Sequence, residues 1–206
     1  MLFRSVIVSM LVSYVVGNDP AAMQFFFTGV MKWVTIFAPL VAIFGVTIAL
    51  NANPPKEVAV TLLHGFAALM GLSFASIFVL FSLGSIVTAF MGAGVLFGTM
   101  SLYGYFTKKD LSGMGQMLFV ALIAIVIASL INIWLGSSVF QMVISAIAIV
   151  IFLGFTAYDT QQIREMVSVE SEEPAEIIGA LTLYMDFINL FINLLQLIGV
   201  APSKDD

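Results

Sequence analysis

The chain has 206 residues, of which 61% are hydrophobic and only 9% are charged. A soluble domain carries about 25% charged residues, so this composition favours an integral membrane protein. The formal net charge is −5, and no basic patch is present for nucleic acid. The absence of cysteine excludes disulfides and thiolate metal sites, and the single histidine, His64, cannot build a histidine-rich metal site. We therefore expect no bound cofactor.

Seven apolar segments follow one another along the chain. The last six each have about the 20 residues that a helix needs to cross the hydrocarbon core, and none shows the alternation of a β-barrel strand. The sequence predicts an all-α integral membrane protein with a single transmembrane domain over residues 1–206, because only helices or closed barrels satisfy backbone polar groups in lipid. The segments are Leu2–Val16, Trp33–Leu50, Val58–Phe81, Ser85–Phe106, Met114–Leu135, Val139–Ile163 and Ile177–Val200.

The first segment is the shortest, since the run Gly17–Pro20 breaks it after 15 residues. A signal peptide is one interpretation, because Arg4 supplies a charged beginning. No small-x-small cleavage site follows closely, so we favour a shortened first transmembrane helix.

Lysine and arginine positions predict that the N-terminus is cytoplasmic, because cytoplasmic loops are enriched in these residues. Seven crossings would then put the C-terminus outside, whereas a re-entrant last segment would return it to the cytoplasm. The predicted cytoplasmic residues are Arg4, Lys56, Lys108, Lys109 and Arg164, against Lys32 and Lys204 on the other side.

Small residues recur every four positions on two segments, at Ala67, Gly71 and Ala75 and again at Gly94 and Gly98. Such faces let helix backbones approach closely in lipid. We expect them to be packing faces rather than a pore lining.

Isolated polar residues have simpler interpretations. We expect Asn132 to form a hydrogen bond between helices and His64 to be a packed or interfacial side chain. Glutamates between Glu165 and Glu176 are expected to form a solvated loop between the last two segments, or to concentrate cations at a mouth.

Two aspartates lie within apolar segments, Asp159 late in the sixth and Asp186 near the middle of the last. An aspartate at the bilayer centre costs about 2.5–3.5 kcal/mol on insertion scales. Each is therefore expected to face the bundle interior and to have a partner.

Asp186 begins a polar stripe along the last segment. Asn189, Asn193 and Gln196 follow it on one helical face, and Thr182 extends that face backwards. One interpretation is hydrogen bonding between helices. The other, which we favour, is a polar path or ion site that contains a titratable group.

The two aspartates have no evident buried cation partner, because no lysine or arginine falls inside the last six predicted segments and Arg4 lies at the very beginning of the first. If they meet, Coulomb repulsion disfavours double ionisation and they share one proton, which makes a pH sensor. A divalent cation would relieve the doubly ionised state, and its charge and preference for oxygen ligands favour calcium at Asp159 and Asp186.

Three motifs resemble the bacterial Bax-inhibitor (transmembrane Bax inhibitor motif) family. Tyr103–Ser112 (YGYFTKKDLS) resembles its fourth-loop motif, and Ala157–Ile163 (AYDTQQI) its sixth-helix signature. Leu183–Phe191 (LYMDFINLF) is similar to its last-helix signature, the most specific of the three. The resemblance covers about Trp33 to Val200.

The resemblance implies a bundle of six helices around a central seventh, and a pH-sensitive calcium leak across the bacterial inner membrane. It also implies that Asp159 and Asp186 form the di-aspartyl pH sensor, with calcium and protons as the ions concerned. We expect the protonated pair to favour the closed state and the ionised pair the open state.

Two features depart from that family. Its members usually carry a longer N-terminal cytoplasmic stretch, and some place an arginine near the end of the second helix that latches onto the sensor. Here Ile48–Asn53 contains no basic residue, so only Asn51 or Asn53 offers a neutral and weaker hydrogen bond.

Alternative functions use other parts of the chain. An intramembrane aspartyl protease also needs two aspartates, but presenilin-like enzymes have glycine-x-glycine where this chain has Leu183–Met185, so we expect no enzyme. A modulator of a membrane-bound ATP-dependent protease would use tails and loops, and a stress-protective scaffold is a third interpretation.

Overall fold

The computed structural model describes residues 1–52, 54–169 and 173–199, and every regular element in these ranges is an α-helix. The expected all-α class is therefore confirmed. The helices are α1 (Leu2–Gly17), α2 (Pro20–Phe27), α3 (Met31–Asn51), α4 (Lys56–Phe74), α5 (Ile77–Leu80), α6 (Leu83–Phe106), α7 (Ser112–Leu135), α8 (Ser138–Val169) and α9 (Glu173–Ile198).

Six helical segments are long and apolar enough to cross a membrane. They correspond to the last six predicted segments, and the span that contains α4 also includes α5. A seventh crossing requires α1 and α2 to act as one span, although they are bent by 101°. The arrangement of six helices around a central seventh stays a prediction. The six spans are Met31–Asn51, Lys56–Leu80, Leu83–Phe106, Ser112–Leu135, Ser138–Val167 and Glu176–Ile198.

The bend between α1 and α2 has a local cause. The Asn18 amide donates a hydrogen bond of 2.8 Å to the carbonyl of Tyr14 at the end of α1. The Asp19 side chain accepts hydrogen bonds from the backbone N–H groups of Ala21 and Ala22, which caps α2 at its N-terminus. The predicted break is confirmed, but the sequence analysis missed the short helix that follows it.

The contacts divide the described chain into two compact units. One contains α1 to α5 and α9 up to Tyr184, and the other contains α6 to α8 and α9 from Met185 onward. A single domain over residues 1–206 stays a prediction. Asp159 and Asp186 both belong to the second unit.

The predicted small-residue face of α4 packs against α1. A Cβ atom added to Gly71 would lie 2.4 Å from the backbone oxygen of Ser9, and Ala67 and Ala75 are fully buried. The Ser9 hydroxyl also donates a hydrogen bond of 2.7 Å to the carbonyl of Ala67. This packing prediction is confirmed.

The packing prediction for Gly94 and Gly98 on α6 is wrong. Among the described residues nothing lies within 4 Å of a Cβ atom added to either glycine. Close packing on this helix occurs instead at Gly104, where an added Cβ would lie 2.2 Å from the carbonyl oxygen of Ala157. Four-residue spacing identifies a helix face, but it does not show whether a neighbouring helix approaches that face.

The turn between α7 and α8 contains a left-handed residue, Gly136, with φ of 61°. We expect Gly136→Ala to lower the free energy of unfolding by about 1 kcal/mol, because Cβ approaches the following carbonyl oxygen in this conformation. Gly136→Asn should cost less, since asparagine tolerates this region. Thermal unfolding in detergent measures both, and equal losses for the two variants would contradict the explanation.

The expected acidic loop is partly helical. Glu165 lies on α8, and Glu173 and Glu176 lie on the first turns of α9. The loop prediction is therefore wrong for these three residues.

The orientation of the N-terminus stays a prediction. Five residues used in the sequence predictions lie outside the described ranges: Asn53, Glu170, Glu172, Val200 and Lys204.

Candidate functional site

The two intramembrane aspartates meet between α8 and α9. Asp159 is half-buried, and Asp186 is 5% exposed. The two side chains are neighbours, close enough for their carboxyl groups to interact. Two carboxyl groups hydrogen-bond only when at least one of them carries a proton, so the arrangement is suited to holding a shared proton.

Asp186 has one oxygen with an unusual environment. Within the described part of the chain, its Oδ2 atom is buried and has no hydrogen-bond partner. An unpaired buried carboxylate oxygen is costly, so the neutral form of the pair suits this environment better than the doubly charged form.

An aromatic cluster fixes the rotation of α9 beside Asp186. The Phe187 ring lies edge-on to Phe90 and Phe97 of α6, with centroid distances of 5.3 and 5.7 Å, and Phe191 lies 5.9 Å from Phe90. These are favourable aromatic geometries. These apolar side chains of α9 thus pack on α6.

Most of the predicted polar path residues bond to their own helix. The side chains of Thr182, Asn189 and Asn193 each donate to the carbonyl four residues earlier, at 3.1, 2.8 and 2.8 Å. These hydrogen bonds do not join helices. Gln196, in contrast, bonds to another helix, since its Oε1 atom accepts a hydrogen bond of 2.8 Å from Gln141 of α8.

Two isolated polar residues behave as expected. The Asn132 amide donates a hydrogen bond of 3.0 Å to Gln141, which confirms the predicted bond between helices. His64 is half-buried, and its Nδ1 atom donates to the carbonyl of Val60 at 2.8 Å, which fits a packed histidine.

The cation nearest to Asp159 along the chain is Arg164, which the sequence placed just beyond the sixth segment. The structure extends that span to Val167, so Arg164 lies within it. Its guanidinium donates to the carbonyl of Tyr105 and pairs with Glu165 at 3.6 Å. The hydrogen bond to Tyr105 holds the end of α6 against α8.

A buried hydroxyl pair in the first unit was not predicted from the sequence. The hydroxyl groups of Tyr184 and Ser9 lie 2.6 Å apart, and Tyr184 is fully buried. Because Ser9 carries one hydroxyl proton and donates it to the carbonyl of Ala67, the Tyr184 hydroxyl donates to Ser9. Ser5, Ser9 and Ser13 are buried on α1, and their four-residue spacing in the sequence could have indicated a polar contact on this helix face.

A buried glutamine, also missed as a functional residue, holds the loop between α6 and α7. Gln161 accepts a hydrogen bond from the Leu111 N–H and donates one to the Lys109 carbonyl, both 2.8 Å long. In the same loop, hydrogen bonds from Ser112 lower the pKa of the exposed Asp110 below its usual value. The loop motif therefore has one defined conformation against α8.

Metal-binding chemistry at the site is limited to the aspartate pair. Among the residues that the structure describes, no three histidine, aspartate or glutamate side chains cluster closely enough to hold a metal ion. The pair alone offers fewer oxygens than the six to eight ligands that calcium takes.

Comparison with known proteins identifies the family. Residues 1–203 match the family described as inhibitor of apoptosis-promoting Bax1. The chain belongs to the Bax-inhibitor family. The resemblance that the three motifs predict is thereby confirmed.

Several bacterial relatives cover most of the chain. The inner membrane protein YbhL of Escherichia coli K12 is 40% identical over 194 residues, which are 91% of this chain and 83% of that protein. A Helicobacter pylori protein is 38% identical over 84% of this chain and 74% of its own length. A Deinococcus radiodurans protein is 44% identical over 72% of this chain and 64% of its own length.

Proposed function

We propose that this Bax-inhibitor family member is a pH-sensitive calcium leak channel of the bacterial inner membrane, gated by protonation of Asp159 and Asp186. The observation that carries the proposal is that these two carboxyl groups are interacting neighbours between α8 and α9. The inner-membrane location rests on the name of the Escherichia coli relative, and a cytoplasmic N-terminus rests on the lysine and arginine distribution.

Protonation supplies the gating force in this proposal. A pair that shares one proton is held together by a hydrogen bond, which joins α8 to α9. Loss of that proton places two negative charges close together, and two unit charges about 4 Å apart repel by about 4 kcal/mol at an effective dielectric constant of about 20. Ionisation should therefore separate α8 from α9 and favour the open state.

Calcium is proposed as the transported ion rather than as a resident cofactor. The ionised pair attracts a divalent cation, and Asn189 and Asn193 add amide oxygens on the same stripe of α9. Several weak oxygen ligands along a path let an ion enter without binding it tightly.

The proposed function predicts calcium influx into dye-loaded liposomes that rises between about pH 5 and about pH 8 as the pair ionises. Asp159→Asn and Asp186→Asn should each flatten this pH profile, because an amide cannot lose the shared proton. Asp110→Asn is the matched control, since Asp110 is an exposed aspartate of the α6–α7 loop and should leave the profile unchanged. Influx that never exceeds that of empty liposomes would rule out the leak.

An alternative proposal is modulation of a membrane-bound ATP-dependent protease. Gln161 holds the α6–α7 loop in a fixed conformation while Lys108, Lys109 and Asp110 remain exposed, as a docking loop requires. Charge reversal of these three residues should then change degradation of the protease's substrates in cells without changing the calcium influx.

A further inference from the structure

We propose that an amide cluster joining α7, α8 and α9 is a second gate, which closes the ion path independently of pH. The proposal rests on the leak function above, and it concerns the opposite end of the same pair of helices. The cluster consists of Asn132 on α7, Gln141 and Ser145 on α8, and Gln196 on α9.

The hydrogen bonds of the amide cluster run in one direction. The backbone N–H of Ser137 donates to Asn132 Oδ1 at 3.2 Å, and Asn132 Nδ2 donates to Gln141 Oε1 at 3.0 Å. Gln141 Nε2 and the Ser145 hydroxyl then both donate to Gln196 Oε1, at 2.8 and 2.9 Å. This series of hydrogen bonds begins at the backbone of the α7–α8 turn, which orients the Asn132 amide and, through it, the Gln141 amide.

The amide cluster lies at a defined distance from the aspartate pair. Gln196 follows Asp186 by ten residues on α9, which is about 15 Å of helix, and Ser145 precedes Asp159 by fourteen residues on α8, which is about 21 Å. Helices α8 and α9 are therefore joined twice, once by carboxyl groups and once by neutral amides. Asn189 and Asn193 lie between the two junctions on the polar stripe.

The environment of the amide cluster suits a gate. Ser145 is fully buried and Asn132 is nearly so, while Gln196 at the end of α9 is exposed. An ion that approaches from this end meets Gln196 first, with its Oε1 atom occupied by two donors. Passage requires those donors to swing away, after which the amide and hydroxyl oxygens become ligands for a hard cation.

None of the four side chains titrates in the physiological range, which separates this gate from the aspartate pair. Protonation sets whether the aspartate junction is closed, while the amide junction is open for the same small fraction of the time at every pH. Because both junctions must be open at once, calcium influx is proportional to the product of their open probabilities.

The test compares calcium influx into liposomes for Gln196→Leu and Gln141→Leu with wild type across the pH range. Each substitution should raise influx about tenfold at every pH and leave the midpoint of the pH profile in place. Combining the two should add little, because either one already breaks the Gln141–Gln196 bond. Gln162→Leu, the same change on α8 outside the amide cluster, should have no effect. Ser145→Ala, a smaller change, should raise influx less.

Other outcomes would overturn the proposal. One such outcome is that the variants fold and their influx is unchanged or reduced, while their melting temperatures show that the effects of changing Gln141 and Gln196 are not additive. The amide cluster would then be a structural contact only. A shifted pH midpoint would show that the two junctions are not independent. If wild type shows no pH-dependent influx, the proposed sensor fails, but entry opened by Gln196→Leu would still support the gate. No influx in any variant would overturn both.

Discussion

Gly104→Ala is expected to destabilise the protein by about 2–3 kcal/mol and to disturb the helix that carries Asp159. A Cβ atom at this position would lie 2.2 Å from the carbonyl oxygen of Ala157, which is backbone and cannot rotate away. Helices α6 and α8 must therefore separate, and overpacking of this kind typically costs about 1–3 kcal/mol. Because Ala157 precedes Asp159 by two residues, the aspartate pair should also move, which calcium influx would reveal.

The same substitution at Gly98 provides a matched control on the same helix. Nothing in the described structure lies within 4 Å of a Cβ atom at Gly98, so alanine there should stabilise α6 by about 0.5–1 kcal/mol through reduced chain entropy. Unfolding of both variants in detergent measures the contrast. Equal effects of the two substitutions would contradict the close approach at Gly104.

The two glycines also show where sequence reasoning succeeds and where it stops. Composition and segment length were sufficient to predict six membrane spans, because few structures other than long apolar helices can cross lipid. The spacing of Gly94 and Gly98 matched a packing face, yet the close contact lies at Gly104. Helix periodicity defines faces, whereas the neighbour of each face depends on how the whole bundle assembles.

The candidate site divides in the same way. Asp159 and Asp186 could be predicted as site residues from the sequence, because burying a carboxyl group in lipid costs free energy and such a group therefore needs a partner. Gln141 and Ser145 could not be singled out in this way, because an isolated amide or hydroxyl group is common in a helix and its burial costs less free energy than that of a carboxylate. Their partner Gln196 is more than 50 residues away along the chain, and tertiary structure alone brings the three together.

Gln161→Leu is expected to release the α6–α7 loop from α8. The leucine has a similar volume but can neither accept from the Leu111 N–H nor donate to the Lys109 carbonyl, and Gln161 is only 2% exposed. An unsatisfied buried backbone group costs about 1–3 kcal/mol, so two of them should lower stability by about 2–6 kcal/mol unless water enters. If water does enter, the loss is smaller and the loop becomes mobile.

Hydrogen exchange distinguishes these two responses. Exchange of the Leu111 amide should accelerate at least about tenfold in Gln161→Leu, because the loss of about 1.4 kcal/mol of protection corresponds to a factor of ten. Gln162→Leu changes the adjacent glutamine, which lies outside the loop contact, and should leave that amide protected. The loop motif and the Asp159 signature are joined through Gln161, so a freed loop should also alter the pH profile of influx. Unchanged exchange at Leu111 would show that other contacts hold the loop and that Gln161 is dispensable for coupling it to α8.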